Sequence, residues 1–397
     1  MDPVDFPLPP PILIGPEGSF AWDVFHRRHP RLVENVVGAL PYSAVQASAL
    51  RDLLDESMHG AITPLPPDAP DADRWRAWDR GHYGKPWSDA PFLWAESLFF
   101  RRILQATGYY GSTAPDASAW AGVDPYAPMK DAELADPGLD AAFAWYAALP
   151  DLEPDQRFTA LVEASVLGNR ADLVFQVTEL VENYAMLSPP LADDTAALLD
   201  RLSTGGPGPV AIVCDNAGRE LLAYLLFAED LLASGLAASI AFHVKPDPYY
   251  ISDATAADLG RTLRRLRAMP GRLGAAGHRL YEHAAQNRLG IRTHPFWCSP
   301  LSFHEMPDDL RSDLDPARLV VFKGDLNYRR LVGDCLWEPT TPFADAVAYL
   351  GGLPVAALRT LKSDVVLGVP GGRVEQLDAD DPEWRINGRQ TVVQFSG

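Results

Sequence analysis

Four short apolar runs in the second half of the chain each stop at a cluster of polar residues, and helix-patterned sequence separates them. They are PVAIVC (Pro209 to Cys214), AASIAFHVK (Ala237 to Lys245), RLVVFKG (Arg318 to Gly324) and VAALRTLK (Val355 to Lys362). Runs of this length, rich in β-branched residues and bounded by glycine and proline, are expected to be buried strands. Because RELLAYLLFAEDLLAS and the arginine-rich ADLGRTLRRLRAM are apolar at helical spacing, the strands are joined by helical crossovers. Such units form a largely parallel sheet.

In that arrangement the strand ends converge on one rim of the sheet, which is where α/β proteins bind ligands. Asp215 and Asn216 follow the first run, and Ser252 and Asp253 follow the second. Asp325, Leu326, Asn327, Tyr328, Arg329 and Arg330 follow the third, and Lys362 closes the fourth. Each has an ordinary reading when taken alone. An Asp-Asn pair makes an Asx turn or a helix cap, GDLN is a capping turn, Glu220 offsets a helix dipole, and Lys362 is a solvated strand end. Their joint occurrence at successive strand ends is what argues for a shared pocket.

The first half lacks β-branched strands and reads as helices near 20–40, 43–58, 90–107, 139–149, 155–167 and 170–187. LSPPLADD, from Leu187 to Asp194, reads as a joint at which Asp193 or Asp194 caps the next helix. The expected organisation is therefore an all-helical lobe over 1–190 and an α/β domain over 191–397, with a three-layer, Rossmann-like sandwich in the latter. Trp75, Trp78 and Trp87 are expected in core packing rather than a lid. Glu96 with Arg101 or Arg102 is the expected bridge between the lobes.

With 397 residues and 47% hydrophobic content, the chain supports a large core. A net charge of -19 argues against nucleic acid or an anionic membrane as partner, since both need a basic face. Cys214, Cys298 and Cys335 have no C-x-x-C spacing, so neither a disulfide framework nor a thiolate zinc site is indicated, and a reducing cytoplasm fits. MDPVDFPLPPP lacks the basic-then-apolar order of a secretory signal, and no run reaches the roughly 18 apolar residues of a membrane span. Other signatures fail on placement. The glycines of STGGPGP precede a strand, whereas a nucleotide loop follows one, and DLDPA likewise precedes its strand.

Taken together, the motifs resemble the DUF89 damage-control phosphatase family, in its R-T-x-K subgroup. Arg359, Thr360, Leu361 and Lys362 match that motif; Asp215 to Gly218 match the D-N-x-G pattern, with Glu220 after it. HVKPDPYYISDAT matches a segment whose aspartate is Asp253, KGDLNYRRL matches the stretch from Lys323, and SFAWDVFHRRHP and WAESLFFRRI are similar to amino-terminal segments. The resemblance implies a phosphatase of small phosphorylated metabolites, sugar phosphates such as fructose 1-phosphate among them, using Mn²⁺, Ni²⁺, Co²⁺ or Mg²⁺. It carries the metal ligands to Asp215, Asn216 and Asp253, and the substrate contacts to Asp325, Leu326, Asn327, Tyr328, Arg329 and Lys362. It also leaves open an S-adenosylmethionine-dependent protein-glutamate carboxyl methyltransferase, in which Glu220 and Asp253 touch the cofactor. Non-catalytic binding of a phosphometabolite is a third reading.

The donor chemistry agrees with the first reading. Two carboxylates and a carboxamide are hard oxygen ligands that leave positions for water and a phosphoryl oxygen. Lys362 then neutralises phosphate charge, and amides at the helix start near Asn327, with its side chain, hold further oxygens. Asp325 serves a substrate hydroxyl or acts as a general acid-base group, and Asp253 is a ligand, a nucleophile or a base.

Overall fold

A computed structural model describes residues 7–111, 118–167 and 189–397. Its sheet has six strands: β1 (Gly208–Val213), β2 (Ala237–Val244), β3 (Leu289–Thr293), β4 (Leu319–Lys323), β5 (Val355–Thr360) and β6 (Thr391–Ser396). The order is β3-β2-β1-β4-β5-β6. The first five strands run parallel, and β6 lies antiparallel to β5. The protein is thus mixed α/β with a mostly parallel sheet, as the sequence pattern requires.

Alternation along the strands divides the core into two layers. Ala211, Val213, Val320, Phe322, Val355 and Ala357 join one buried cluster, which continues into the amino-terminal helices. Val210, Ile212, Phe242, Leu319, Val321 and Ala356 join the other, under the helices Gly218–Ala233, Ala256–Ala268 and Gly271–Ala285. One face of the sheet therefore packs directly on residues from the first half of the chain.

Among the described residues, the elements before Pro189 are helical, the longest being Ala44–His59, Phe92–Thr107 and Pro154–Leu167. Ser43 and Gln46 close a capping box on Ala44–His59, and Gly108 ends Phe92–Thr107 in the left-handed conformation. The helix expected over 170–187 lies outside the described residues. Near 139–149 there is only the short helix Leu139–Ala142 followed by a 3₁₀ stretch, Ala144–Asp151.

Two strands were not anticipated, β3 and β6, and both are sheet edges. In β3 only Leu289 is buried. The expected joint does more than connect: Leu191 and Asp194 donate backbone hydrogen bonds to Thr391 and Val393, covering the outer edge of β6. Asp193 Oδ1 accepts from Thr195 N at the start of the helix Thr195–Ser203, whereas Asp194 Oδ2 accepts from Phe395 N instead of capping. Trp75 and Trp87 are core residues. Glu96 bridges to Arg329, while Arg101 and Arg102 pair within the helical half, with Asp71 and Glu56.

Candidate active site

The crossover after β1 leads outward to β2, and that after β4 leads the other way to β5, so the chain reverses its winding between adjacent strands β1 and β4. A crevice opens outside the carboxyl ends of strands at such a point. A cavity of about 370 Å³ lies there.

Asp215 leaves β1 at its floor, and its carbonyl accepts from Ala254 N at 2.7 Å while Ala217 N donates to Ser252 O at 2.7 Å. With the bridge between Asn216 and Asp253, these bonds fix the turn after β1 to the loop after β2. From the other side Gly324 presses on Asp215. Gly324 has φ +81°, and a Cβ placed on it would overlap the Asp215 carboxylate. Only glycine meets both conditions.

Asn216 Nδ2 donates to Asp215 Oδ2 at 3.1 Å and to Glu220 Oε2 at 2.8 Å, and Ser252 Oγ donates to Asn216 Oδ1 at 2.6 Å. Asp253 is 1% exposed, its Oδ2 3.3 Å from Lys245 Nζ. Its carbonyl accepts from Lys130 Nζ at 2.9 Å, and the same ammonium binds Asp258 and Asp124. The residues before it hold an unfavourable backbone: Tyr250 at φ 43° and the β-branched Ile251 at φ 66°.

Burial, then the charges of Glu220 and Asp253, drives the Asp215 carboxyl well above the usual carboxylate range. Burial likewise raises Glu220 and Asp253, with Lys362 and Lys245 respectively opposing it. Three buried acids of like charge favour an added cation. Among the described residues no group of three or more His, Cys, Asp or Glu side chains could hold an ion by itself. The expected set is different in kind, two aspartates and a carboxamide. Asp253 Oδ2, buried without a hydrogen bond, and the adjacent Asp215 and Asn216 are hard oxygen donors suited to a divalent ion.

Asp325 is fixed by the R-T-x-K turn. Its Oδ1 accepts from Arg359 Nε at 2.8 Å, Lys362 N at 3.1 Å and Ser363 Oγ at 3.1 Å. Burial alone would raise this carboxyl, but Arg359 and Arg329 bring it below its ordinary value. Arg359 also binds Ser363 and Val365 carbonyls and lies 4.3 Å over the Tyr328 ring. The motif's arginine is thus a buried clamp, and its lysine lines the cavity.

Of the expected substrate contacts, Asp325, Leu326, Arg329 and Lys362 line the cavity; Asn327 and Tyr328 do not. Asn327 Nδ2 is committed to the carbonyls of Val213, Cys214 and Lys323, tying β1 to β4. Tyr328 donates to Gln394 Oε1 on β6. Both side chains are thus engaged in the scaffold, off the cavity wall where they were expected. Arg329 is saturated by Asp334 and Glu96, and Arg330 by the carbonyls of Phe296, Trp297 and Leu301.

Sequence reasoning found no cavity residue in the helical half, yet Phe20, Val24, Arg28, His29 and Phe100 line it. The available signal was the segment SFAWDVFHRRHP, which contains most of them. There the helix relaxes into a π turn over Val24–Arg28, a distortion that recurs at functional sites.

Residues 24–377 match the damage-control phosphatase ARMT1-like domain. The chain belongs to this family. Its relatives include damage-control phosphatase ARMT1 of Rattus norvegicus, 29% identical over 96% of this chain and 97% of that protein. The Bos taurus protein of the same name is 32% identical over 79% and 76%, respectively. The Danio rerio protein is 35% identical over 62% of this chain and 60% of its own length. Among solved structures, a DUF89 family protein from Pyrococcus horikoshii superposes with TM-score 0.51 at 13% identity, covering 87% of this chain and 91% of that one. At that identity the likeness is one of fold.

Proposed function

We propose that this damage-control phosphatase family member is a divalent-metal-dependent phosphatase that hydrolyses phosphate monoesters of small metabolites, sugar phosphates such as fructose 1-phosphate among them. The observation that carries this reading is the meeting of the buried Asp215 and Asp253 with the half-buried Asn216 at the switch point, with Lys362 on the same cavity. Asp215, Asn216 and Asp253 would hold the ion, which when bound supplies Lewis-acid activation of the phosphoryl group and of water.

The chain's own groups do the rest. Lys362 places a positive charge on the floor, where it already acts on Asp215 and Glu220. The amino terminus of the helix Gly324–Val332 points its free amides at the same rim, a suitable seat for phosphate oxygens. Asp325, held ionised, accepts a hydrogen bond from a substrate hydroxyl. Glu220 holds the Asn216 carboxamide, a role in the phosphatase that needs no methyl donor. Asp253 combines ligation with the ability to take a proton from water.

We assign 1–190 as the helical domain and 191–397 as the metal- and phosphate-binding domain, with residues from both on the cavity. No helix among the described residues is long and apolar enough to cross a membrane. The three cysteines are unbonded, which supports a reducing, cytoplasmic setting.

The test is phosphate release from a metabolite panel by chelator-stripped protein resupplied separately with Mn²⁺, Co²⁺, Ni²⁺ and Mg²⁺. Metal-restored release that is absent in Asp253→Ala supports the assignment. No release under any metal, or an active variant, overturns it.

A further inference from the structure

The cavity presents cations of two kinds. Arg329 and Arg359 line or border it but are consumed in buried pairs with Asp334, Glu96 and Asp325. Lys362 and Arg28 are different. Lys362 makes no ion pair among the described residues and belongs to the floor from which the proposed phosphate chemistry works. Arg28 comes from the helical half, at the end of the π turn, its guanidinium 4.7 Å over the Phe20 ring. Its contact with Asp23 is 3.4 Å long, and its side chain is 53% exposed. A pair of that kind contributes little and yields readily to a better anion.

Around Arg28 much of the wall is apolar, although His29 and Ser165 also line the cavity with polar atoms that have no hydrogen-bond partner among the described residues. Phe20, Val24, Leu32 and Phe100 offer no hydrogen bonds. Thr360 Oγ1 donates to Val166 O, and Tyr250 Oη is engaged with Ser97. The π turn has a functional consequence here. Its wider winding keeps Phe20, Val24, Arg28 and Leu32, four residues apart in succession, on the one face that meets the cavity. A volume of about 370 Å³ is near the lower end of ligand pockets, so a ligand anchored at the floor is short enough for its far end to reach the helical wall.

We propose that Arg28 is a specificity residue that reads a second anionic group, a carboxylate or a second phosphate, on the substrate at the end remote from the scissile phosphate. This rests on the phosphatase reading above and ranks, among its phosphate monoesters, those carrying a further anion above those with the phosphate alone. Arginine suits the task because its planar fork binds carboxylate and phosphate through two parallel hydrogen bonds.

Two substrate pairs isolate the second anion: glucose 6-phosphate against 6-phosphogluconate for a carboxylate, and fructose 1-phosphate against fructose 1,6-bisphosphate for a phosphate. The quantity read is the ratio of kcat/KM within each pair, measured with Mn²⁺ for the native chain, Arg28→Gln and Arg28→Lys. The expected result is a preference of about tenfold for the dianionic member of at least one pair, as one charge-assisted contact supplies. That ratio falls to near one in Arg28→Gln and is intermediate in Arg28→Lys. The pair that shows it identifies the anion. Absence of preference in both pairs overturns the proposal, and so does an Arg28→Gln variant that slows both members equally. If the native chain releases no phosphate from any of the four, the phosphatase reading fails, and the same ratios taken as Kd by calorimetry still decide the role of Arg28.

Discussion

Gly324 and Asp215, at the ends of neighbouring strands β4 and β1, are packed so closely that the aspartate carboxylate occupies the space of a Cβ on the glycine. The glycine also holds φ +81°, a conformation that costs other residues roughly 1–3 kcal/mol. Gly324→Ala is therefore expected to push the Asp215 carboxylate off its position. A variant that stays folded, with its melting point lowered, should lose nearly all metal-supported phosphate release. Full activity would show that the Asp215 position is not critical.

Asp325 and Arg359 form a second constraint, at 2.7 Å with the guanidinium fully buried. Removing one partner leaves an uncompensated buried charge, which costs about 3–5 kcal/mol. Asp325→Ala should lose stability of that order in denaturant titration as well as activity. A loss below about 1 kcal/mol, the scale of an exposed pair, would contradict the burial argument.

How far the sequence anticipates this site follows from what periodicity records. Strands β1, β2, β4 and β5 stand within about two residues of their apolar runs because they are largely buried, β4 and β5 on both faces and β2 mainly on one, and apolar sequence is the signature of that burial. Strand β3 escapes because LGIRT buries only its first residue, and β6 because its run TVVQFS, though it follows the helix Gly371–Asp380, is short and interrupted by Gln394. Asp215, Asn216, Asp253 and Lys362 were legible as polar ends of those runs. Asn327 and Tyr328 sit in the same motif, but helical winding turns them 100° and 200° from Leu326, toward the scaffold and away from the cavity. Phe20, Val24 and Arg28 were not legible as cavity residues, since amphipathic spacing marks a face without stating what that face meets.

Metal binding has a readout independent of turnover. A ligand that binds only the native state raises the melting temperature in proportion to the logarithm of its concentration. Chelator-stripped protein should melt higher on addition of Mn²⁺, and the increment should vanish in Asp253→Asn, whose amide keeps the shape and removes the charge. An unchanged increment in that variant would remove Asp253 from the ligand set.

Lys130 offers a test of positioning. Its ammonium is 3% exposed and distributes hydrogen bonds to Asp124, Asp258 and the carbonyl of Asp253. Lys130→Met keeps the stem and removes these bonds, so the strained Tyr250–Ile251 turn loses the tether that opposes its relaxation. Metal affinity should fall by about tenfold or more, on the scale of losing one supporting contact behind a ligand. A metal Kd that matches the native chain in a destabilised variant would confine Lys130 to a purely structural role.

His29 carries the pH dependence most open to measurement. Burial, followed by the nearby His26 charge, lowers its pKa from 6.5 to about 3, and the ring is stacked 4.0 Å from Phe99 with neither nitrogen hydrogen-bonded. In the unfolded chain the imidazole protonates below pH 6.5, but in the folded chain it stays neutral until about pH 3. Between those values the unfolded state binds more protons, so stability is fully present above about pH 6.5 and declines as the pH falls toward 3. From pH 7 to pH 5 this single group should remove about 2 kcal/mol. His29→Phe, which fits among Phe25, Phe99 and Phe100, has no proton to take up, and denaturant titrations of the two proteins at pH 7 and pH 5 should differ by that amount in their change. Equal losses in both proteins would mean that the His29 ring gains a proton-accepting environment on folding, contrary to its packing.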